Sequence, residues 1–219
     1  MLKNYFRSAL RFIRQNKIFA AINLLGLSIS LAASFIILLF VINELSYNRC
    51  HKNSRRIYRV LNYYVDFKNT QSGTPYILAT ALQDEFPQVE KAVRTRYIRG
   101  LNLKLEDQSL FPVNDAIATD SEIFNIFTIP LIEGTPSDDL LSGLNDIVIS
   151  RSLAEKIFPR QHATGREISG IVNNTTQMFI VRGVFEDMPR NSTLRTRCLV
   201  NSKWTLDPIN KSFGITNAD

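Results

Sequence analysis

Between Ile18 and Ile42 the chain reads IFAAINLLGLSISLAASFIILLFVI, 25 residues without a charged side chain. No other stretch narrows the possible folds as much. At about 1.5 Å of rise per residue, a helix over this run is about 37 Å long, against a hydrocarbon core of about 30 Å in a bilayer. Sixteen of its residues are Leu, Ile, Phe or Val. At about −0.3 to −0.6 kcal/mol each, they favour insertion by very roughly 7 kcal/mol. Asn23, Ser28, Ser30 and Ser34 work against that sum without reversing it, because a serine hydroxyl can bond the helix carbonyl one turn back. A soluble core helix this long and this free of charge is rare. A secretory signal has an apolar segment of only about 7 to 15 residues and a small-residue cleavage site, whereas Asn43-Glu44-Leu45-Ser46-Tyr47 follows here. Residues 18–42 therefore read as an uncleaved transmembrane helix.

The flanks set its orientation. Residues 1–17 carry Lys3, Arg7, Arg11, Arg14 and Lys17 and no acid. At helical spacing Lys3, Arg7, Arg11 and Arg14 share a narrow arc, with Leu2, Tyr5, Phe6, Ala9, Phe12 and Ile13 mostly opposite. This is a basic amphipathic helix suited to the headgroup layer, its cations drawn to anionic membrane lipid. Arg49, Lys52, Arg55, Arg56 and Arg59 follow the span, so flanking charge alone is balanced. A long domain translocates largely regardless of charge, which leaves the short basic start to decide. The N-terminus is expected in the cytoplasm and residues 43–219 outside. The second basic cluster suits lipid phosphate and a solvated surface equally well. Within the span, Gly26, Ser30 and Ser34 recur every fourth residue, a small-residue stripe on which another membrane helix could pack closely.

The net charge of +6 comes from 26 Lys and Arg against 20 Asp and Glu. Five of those cations precede the span, so the large region is nearly neutral. That distribution argues against nucleic acid as a partner. Cys50 and Cys198 are too few for a disulfide framework, and whether they pair stays open.

The 177 residues from Asn43 onward are enough for a sizeable core. Alternation predicts a strand over Arg56–Val65. Thr74 and Pro75 open a helix through Phe86, which Pro87 ends. Val89–Ile98 reads as a strand bearing Lys91, Arg94, Arg96 and Arg99 on a solvated face. Short strands are expected at Leu101–Leu105 and Phe111–Thr119, a brief helix at SEIFNIF, a segment Phe127–Ile132, and the breaker-rich EGTPSDDLLSG. Asp146–Ile149 is a strand, and Ser150 caps the helix RSLAEKIF. Strands at Ile168–Ile171 and Phe179–Phe185 flank a polar loop, Asn173–Gln177. Asp187–Ser192 is a turn, and Cys198–Val200 begins a last strand. Strands and helices interleave, which predicts an α+β extracytoplasmic domain behind an N-terminal amphipathic and transmembrane helix.

Catalytic signals are missing. Neither a phosphate-cradling glycine loop nor a nucleophile elbow occurs. His51 and His162 lack ligand-spaced partners. Glu85, Glu90, Asp107, Asp115, Asp120 and Glu155 are scattered and read as solvated. The sequence thus points to no catalytic residue, metal or cofactor.

Several blocks together resemble one family. ELSYNRCHKNSRRIYRV is similar to the junction after the first membrane helix of MacB/FtsX-like ABC-transporter permeases. ATDSEIFNIFTIPLIEGTP, DIVISRSLAEKIFP with ATGREI, and FIVRGVFEDMPRNSTL resemble successive blocks of that family's periplasmic core domain. NYFRSALRFIRQNKIFAAINLLGLSISLA resembles its amphipathic start and first span. The resemblance implies a non-enzymatic permease subunit in the bacterial inner membrane. It implies a partner ABC ATPase, a second permease copy or paralogue, and a periplasmic adaptor. It also implies that ATP-driven motion is transmitted to the periplasmic domain for export or efflux. The chain stops at Asp219 before any second span, so the domain is expected to be incomplete. A membrane-anchored extracytoplasmic sensor or binding domain is the alternative. No transported substrate is readable.

Overall fold

The computed structural model describes residues 2–65, 68–134, 140–159, 161–172 and 174–204. It divides after Tyr47 into two compact units. The first holds helices α1 (Leu2–Gln15) and α2 (Lys17–Leu45). They part at Asn16, whose ψ of 57° leaves the helical region, so Lys17 stands in the second helix. α2 is the one helix among the described residues long and apolar enough to cross a membrane, and none of it is buried within the protein. Ser46 ends it: its hydroxyl donates to the Asn43 carbonyl at 2.7 Å, satisfying one of the last orphan acceptors of the helix.

The second unit starts at Asn48. After a single 3-10 turn at Ser54–Arg56 come the strands β1 (Asn62–Tyr64) and β2 (Asn69–Gln71), paired among the described residues only with each other, and then α3 (Leu78–Glu85). The expected strand at Arg56–Val65 is thus confined to its last part. The predicted helix at residues 75–86 starts later, at Leu78. From here the main sheet is built from β3 (Thr95–Ile98), β4 (Leu101–Lys104), β5 (Leu110–Val113), β6 (Ala116–Thr119), β7 (Leu131–Glu133), β8 (Asp146–Ser150), β9 (Glu167–Val172), β10 (Thr175–Phe185) and β11 (Cys198–Asn201). The short helix α4 (Ile123–Ile126) follows β6, and α5 (Arg151–Ile157) follows β8. The sheet order is β3-β6-β11-β8-β10-β9-β4-β5, with β7 added alongside β10. β8 runs parallel to β10, and β6 parallel to β11; the remaining pairs are antiparallel. The fold is α+β, as the interleaved pattern predicts.

Three central strands explain why this sheet holds. Every residue of β6, β8 and β11 is buried. Side chains alternate between faces along a strand, so such a strand needs apolar cover on both sides. Ile147 and Ile149 join one core with Leu153, Phe179, Val181 and Val200. Val148 joins the other with Ile117, Ile123, Phe185 and Leu199. α5 covers the first face, anchored by the cap that the sequence predicts: the Leu153 amide donates to Ser150 Oγ. Gly170 sits where a side chain could not, since a Cβ there would lie 2.8 Å from the Phe179 ring.

Two other expectations are corrected. The strand expected over Val89–Ile98 exists only at Thr95–Ile98. Its cations are not one solvated row: Lys91 pairs with Glu122 at 2.8 Å and Arg94 with Asp120 at 2.6 Å. The polar loop expected at Asn173–Gln177 is largely strand, because β10 begins at Thr175 and turns back on β9 in register, Thr175 opposite Val172. Asn174, at φ 62°, supplies the left-handed turn residue. Part of EGTPSDDLLSG and the segment after Trp204 lie outside the described residues.

Candidate functional site

The site begins at Asn48, the first residue of the sheet lobe. Asn48 adopts φ 59°, a left-handed conformation that asparagine tolerates better than most residues. This turns both its amide and its side chain toward the loop between β10 and β11. The Asn48 N–H donates to the Asn191 carbonyl at 2.8 Å. Its Oδ1 accepts from the Thr193 amide at 2.7 Å and the Thr193 hydroxyl at 2.5 Å.

Three residues on, His51 is only 2% exposed. Its Nε2 lies 3.1 Å from Ser192 Oγ, and its ring meets Phe127 edge-on at 5.1 Å between centroids. Ser192 is itself buried, and its hydroxyl donates to the Leu194 carbonyl at 3.3 Å. A hydroxyl has one proton, so assigning it to Leu194 makes His51 the donor through Nε2. Nδ1 then carries the lone pair, and it has no hydrogen-bond partner among the described residues. Burial pushes the imidazole pKa down, opposed in part by the Thr128 backbone. The Lys52 amide completes the contact by donating to Thr128 Oγ1 at 2.8 Å.

The receiving loop is itself bolted to the sheet. Asp187 accepts from the Ser152 amide at 3.2 Å and the Ser152 hydroxyl at 2.7 Å, at the start of α5. Arg151 pairs with Glu186 at 2.7 Å, and the Glu186 amide donates to the Pro130 carbonyl at 2.8 Å. Residues 48–52, 127–130, 150–152 and 186–194 therefore form one clasp. It ties the entry of the chain into the lobe to the ends of two buried strands. Its serine–histidine contact, Ser192 with His51, is buried, and the Ser192 hydroxyl is turned to the Leu194 carbonyl, so it presents no exposed nucleophile. What the geometry shows is a hydrogen-bonded tie between these segments.

A second network ties the residues before β3 to the sheet. Asp120 accepts from Arg94 and from Ser202 Oγ, Tyr76 OH lies 3.3 Å from Ser202 Oγ, and the Arg94 guanidinium stacks 3.8 Å over the Tyr76 ring. Asp115 pairs with Arg197 at 3.0 Å, and Glu90 with Arg56 at 2.6 Å. These three carboxylates are ion-paired rather than simply solvated. Burial alone would raise the pKa of Glu133, but the Thr164 and Ala163 amides, the Thr164 hydroxyl and His162 together hold it below the usual range. Among the described residues no group of three His, Cys, Asp or Glu side chains could hold a metal ion. Cys50 is exposed, Cys198 is buried, and both are free thiols.

The residues singled out by sequence fall in the first unit. Lys3, Arg7, Arg11 and Arg14 lie on α1, spaced by three or four residues, and Arg7, Arg11 and Arg14 are exposed. Lys17 starts α2 and is exposed. Gly26, Ser30 and Ser34 are exposed along α2. Ser30 Oγ donates to the Gly26 carbonyl at 2.8 Å and Ser34 Oγ to the Ser30 carbonyl at 2.9 Å, so the stripe satisfies its own hydroxyl donors. The clasp was missed. His51 looked isolated because its partners are more than 70 residues away in sequence. The available signal was that NELSYNRCH and DMPRNST are both short polar blocks beside apolar elements.

A helix apolar enough to span a bilayer, followed by a mixed sheet with both faces covered, defines a membrane-anchored α+β lobe. The model of the MacB-like periplasmic core domain matches residues 20–206, and the chain belongs to that family. No curated protein matches it. Among solved structures, a domain assigned to a permease protein of Porphyromonas gingivalis is 28% identical at a TM-score of 0.50, covering 58% of this chain and 52% of that one. The periplasmic region of MacB from Actinobacillus actinomycetemcomitans is 17% identical at a TM-score of 0.44, covering 75% of this chain and 66% of that one. The extracellular domain of the ABC-type transporter YknZ from Gram-positive bacteria is 20% identical at a TM-score of 0.39, covering 57% and 59%. The chain thus spans between about half and two thirds of the length of the structures it matches.

Proposed function

We propose that this chain is part of an ABC-transporter permease subunit of the MacB/FtsX-like kind, which couples the ATP-driven motion of a partner ATPase to a periplasmic lobe for export or efflux. The observation that carries the reading is the family match, which runs from inside the apolar helix through the sheet without a break. On this reading the N-terminus is cytoplasmic in the bacterial inner membrane and the sheet lobe periplasmic. Lys3, Arg7, Arg11, Arg14 and Lys17 hold the amphipathic start against anionic headgroups of the inner leaflet. Gly26, Ser30 and Ser34 form the stripe on which a second membrane helix packs, from a second permease copy or a paralogue. Movement of the membrane helix reaches the lobe through Asn48, and the clasp passes it to residues 186–194. Chemistry belongs to the ATPase partner. A periplasmic adaptor would complete an export path.

Purification of the full-length protein from its native membrane tests this. The expected result is an ABC ATPase recovered with it, whose hydrolysis rate changes when the lobe is altered at Asn48 or Thr193. Recovery without any ATPase, in a protein that hydrolyses no ATP itself, would overturn the reading.

A further inference from the structure

We propose that His51 is the pin of an acid-released latch: its neutral ring holds residues 48–52 against the loop between β10 and β11, and protonation of the ring frees them. The inference lies within the sheet lobe and goes beyond the permease reading without resting on it.

The placement of the ring is the first observation. Among the described residues from Asn48 to Tyr97, His51 is the single buried one. The other side-chain ties of residues 48–52 lie at the surface, from Asn48 Oδ1 to Thr193 and from the Lys52 amide to Thr128 Oγ1. Water replaces an exposed hydrogen bond at little net cost. The segment is therefore held by one buried side chain, and withdrawing that side chain releases it. Anything packed on the lobe from outside deepens the burial of His51 and does not undo it.

The second observation is that the pocket accepts the neutral ring and not the cation. Nε2 lies 3.1 Å from Ser192 Oγ, and Phe127 meets the ring edge-on. Nδ1 is sealed from solvent without a hydrogen-bond partner. In the neutral ring that atom carries only a lone pair. In the imidazolium it carries a second N–H, and the ring a positive charge. Burying a charge without a counter-charge is far costlier than burying a lone pair.

Among the described residues no counter-charge is placed to offset it. On its own segment Arg49 and Lys52 are cations, and both are exposed, as is Cys50. Phe127-Thr128-Ile129-Pro130 brings no titratable side chain. The loop after β10 brings Glu186, Asp187, Arg190 and Arg195. Glu186 pairs with Arg151, Asp187 accepts from Ser152, and the two arginines are exposed. None of these charges sets the titration of the ring. Burial lowers its pKa, and the Thr128 backbone opposes that in part.

The direction follows from this. Above the ordinary histidine value of about 6.5 the latch is closed. As pH falls below it, the freed ring takes the proton before the seated one does, so the open form gains until the lower pKa of the seated ring is passed. The two apolar clusters of the lobe contain no histidine, which keeps the release local.

The test is hydrogen exchange on the full-length protein in nanodiscs at about pH 7.5 and about pH 5, each rate divided by the intrinsic rate at that pH. Opening at residues 48–53 and 191–194 is expected to rise two-fold or more in acid, to a ceiling of about thirty-fold set by a freed imidazole near 6.5, while β8 is unchanged. His51→Gln, whose amide stays neutral and can still donate, is expected to remove the acid response. A measurement without any variant backs this: the pH midpoint of the opening coincides with the titration of His51 read by imidazole NMR. A rise below two-fold, an equal rise in β8, an acid response that survives His51→Gln, or two midpoints that stand apart would each overturn the proposal. No ATPase and no membrane sidedness enters these readings, so failure here is distinct from failure of the permease reading.

Discussion

The sheet and the segment that precedes it are stabilised in opposite ways. In β6, β8 and β11 every residue is buried. From Ser54 to Tyr97 not one described residue is, although this segment holds a ribbon and a helix. The sheet closes its core together with α4 and α5, whose Ile123 and Leu153 join the two clusters. The segment before it is held at its end by the ties of Arg94 to Asp120 and Lys91 to Glu122 and by Val93, half-buried against the second core, and leaves Tyr58, Tyr63, Val65 and Ile77 exposed. The buried hydrophobic residues are thus distributed unevenly, concentrated in the sheet and absent from the described residues of the segment before it.

Breaking the rigid part should have the largest effect. Leu199→Ala, at a fully buried site of the second core, is expected to cost about 2–5 kcal/mol. The single tryptophan, Trp204, packs edge-on to Phe179 at 5.5 Å and reports the loss as a shift in its denaturant midpoint. A native midpoint in that variant would mean the two-faced packing is not what holds the lobe.

The clasp comes next. Asn48→Ala removes an acceptor from both the amide and the hydroxyl of Thr193, and because Thr193 is exposed and its donors can turn to water, the cost is about 0.5–1.5 kcal/mol. Hydrogen exchange should quicken at residues 48–53 and 191–194 and stay unchanged in β8. Exchange that quickened uniformly would contradict a local joint.

Acid should loosen the same joint. His51 has its pKa lowered by burial, with the Thr128 backbone opposing. Its neutral form is favoured by folding, so its contribution is whole above the unfolded value of about 6.5. As pH falls below that, the unfolded state binds the proton first and stability is lost, at no more than about 1.4 kcal/mol per pH unit, until the folded pKa is passed. Imidazole NMR should show His51 titrating below the ordinary histidine value of about 6.5, and His51→Gln should flatten the acid limb of stability.

The smallest effect is expected in the exposed segment. Tyr58→Ser or Val65→Ser should change lobe stability by no more than about 0.5 kcal/mol, since neither side chain is covered. A large loss at either position would show that the segment is part of the core, and the contrast between the two regions would fail.

Legibility in the sequence follows the range of the interactions. The apolar helix, the Ser150 cap and the strand DIVIS are local patterns and were readable. The paired ribbon β9–β10 was underestimated, because Thr175, Thr176 and Gln177 look like loop residues until register with β9 gives their backbone a partner. The cations Lys91 and Arg94 looked solvated because the carboxylates that neutralise them, Glu122 and Asp120, lie some 30 residues away. The clasp joins positions as much as 145 residues apart, and no periodicity records such a pairing.

Topology is the ground on which the remaining account stands, and one labelling experiment reads it. In a Cys50→Ser background, Glu155→Cys places a thiol on the exposed side of α5, while Cys198 stays buried, its pKa pushed up by desolvation. A membrane-impermeant maleimide added to intact spheroplasts should label Glu155→Cys fully. Labelling only after the membrane is permeabilised would place the sheet lobe on the cytoplasmic side and contradict the proposed coupling.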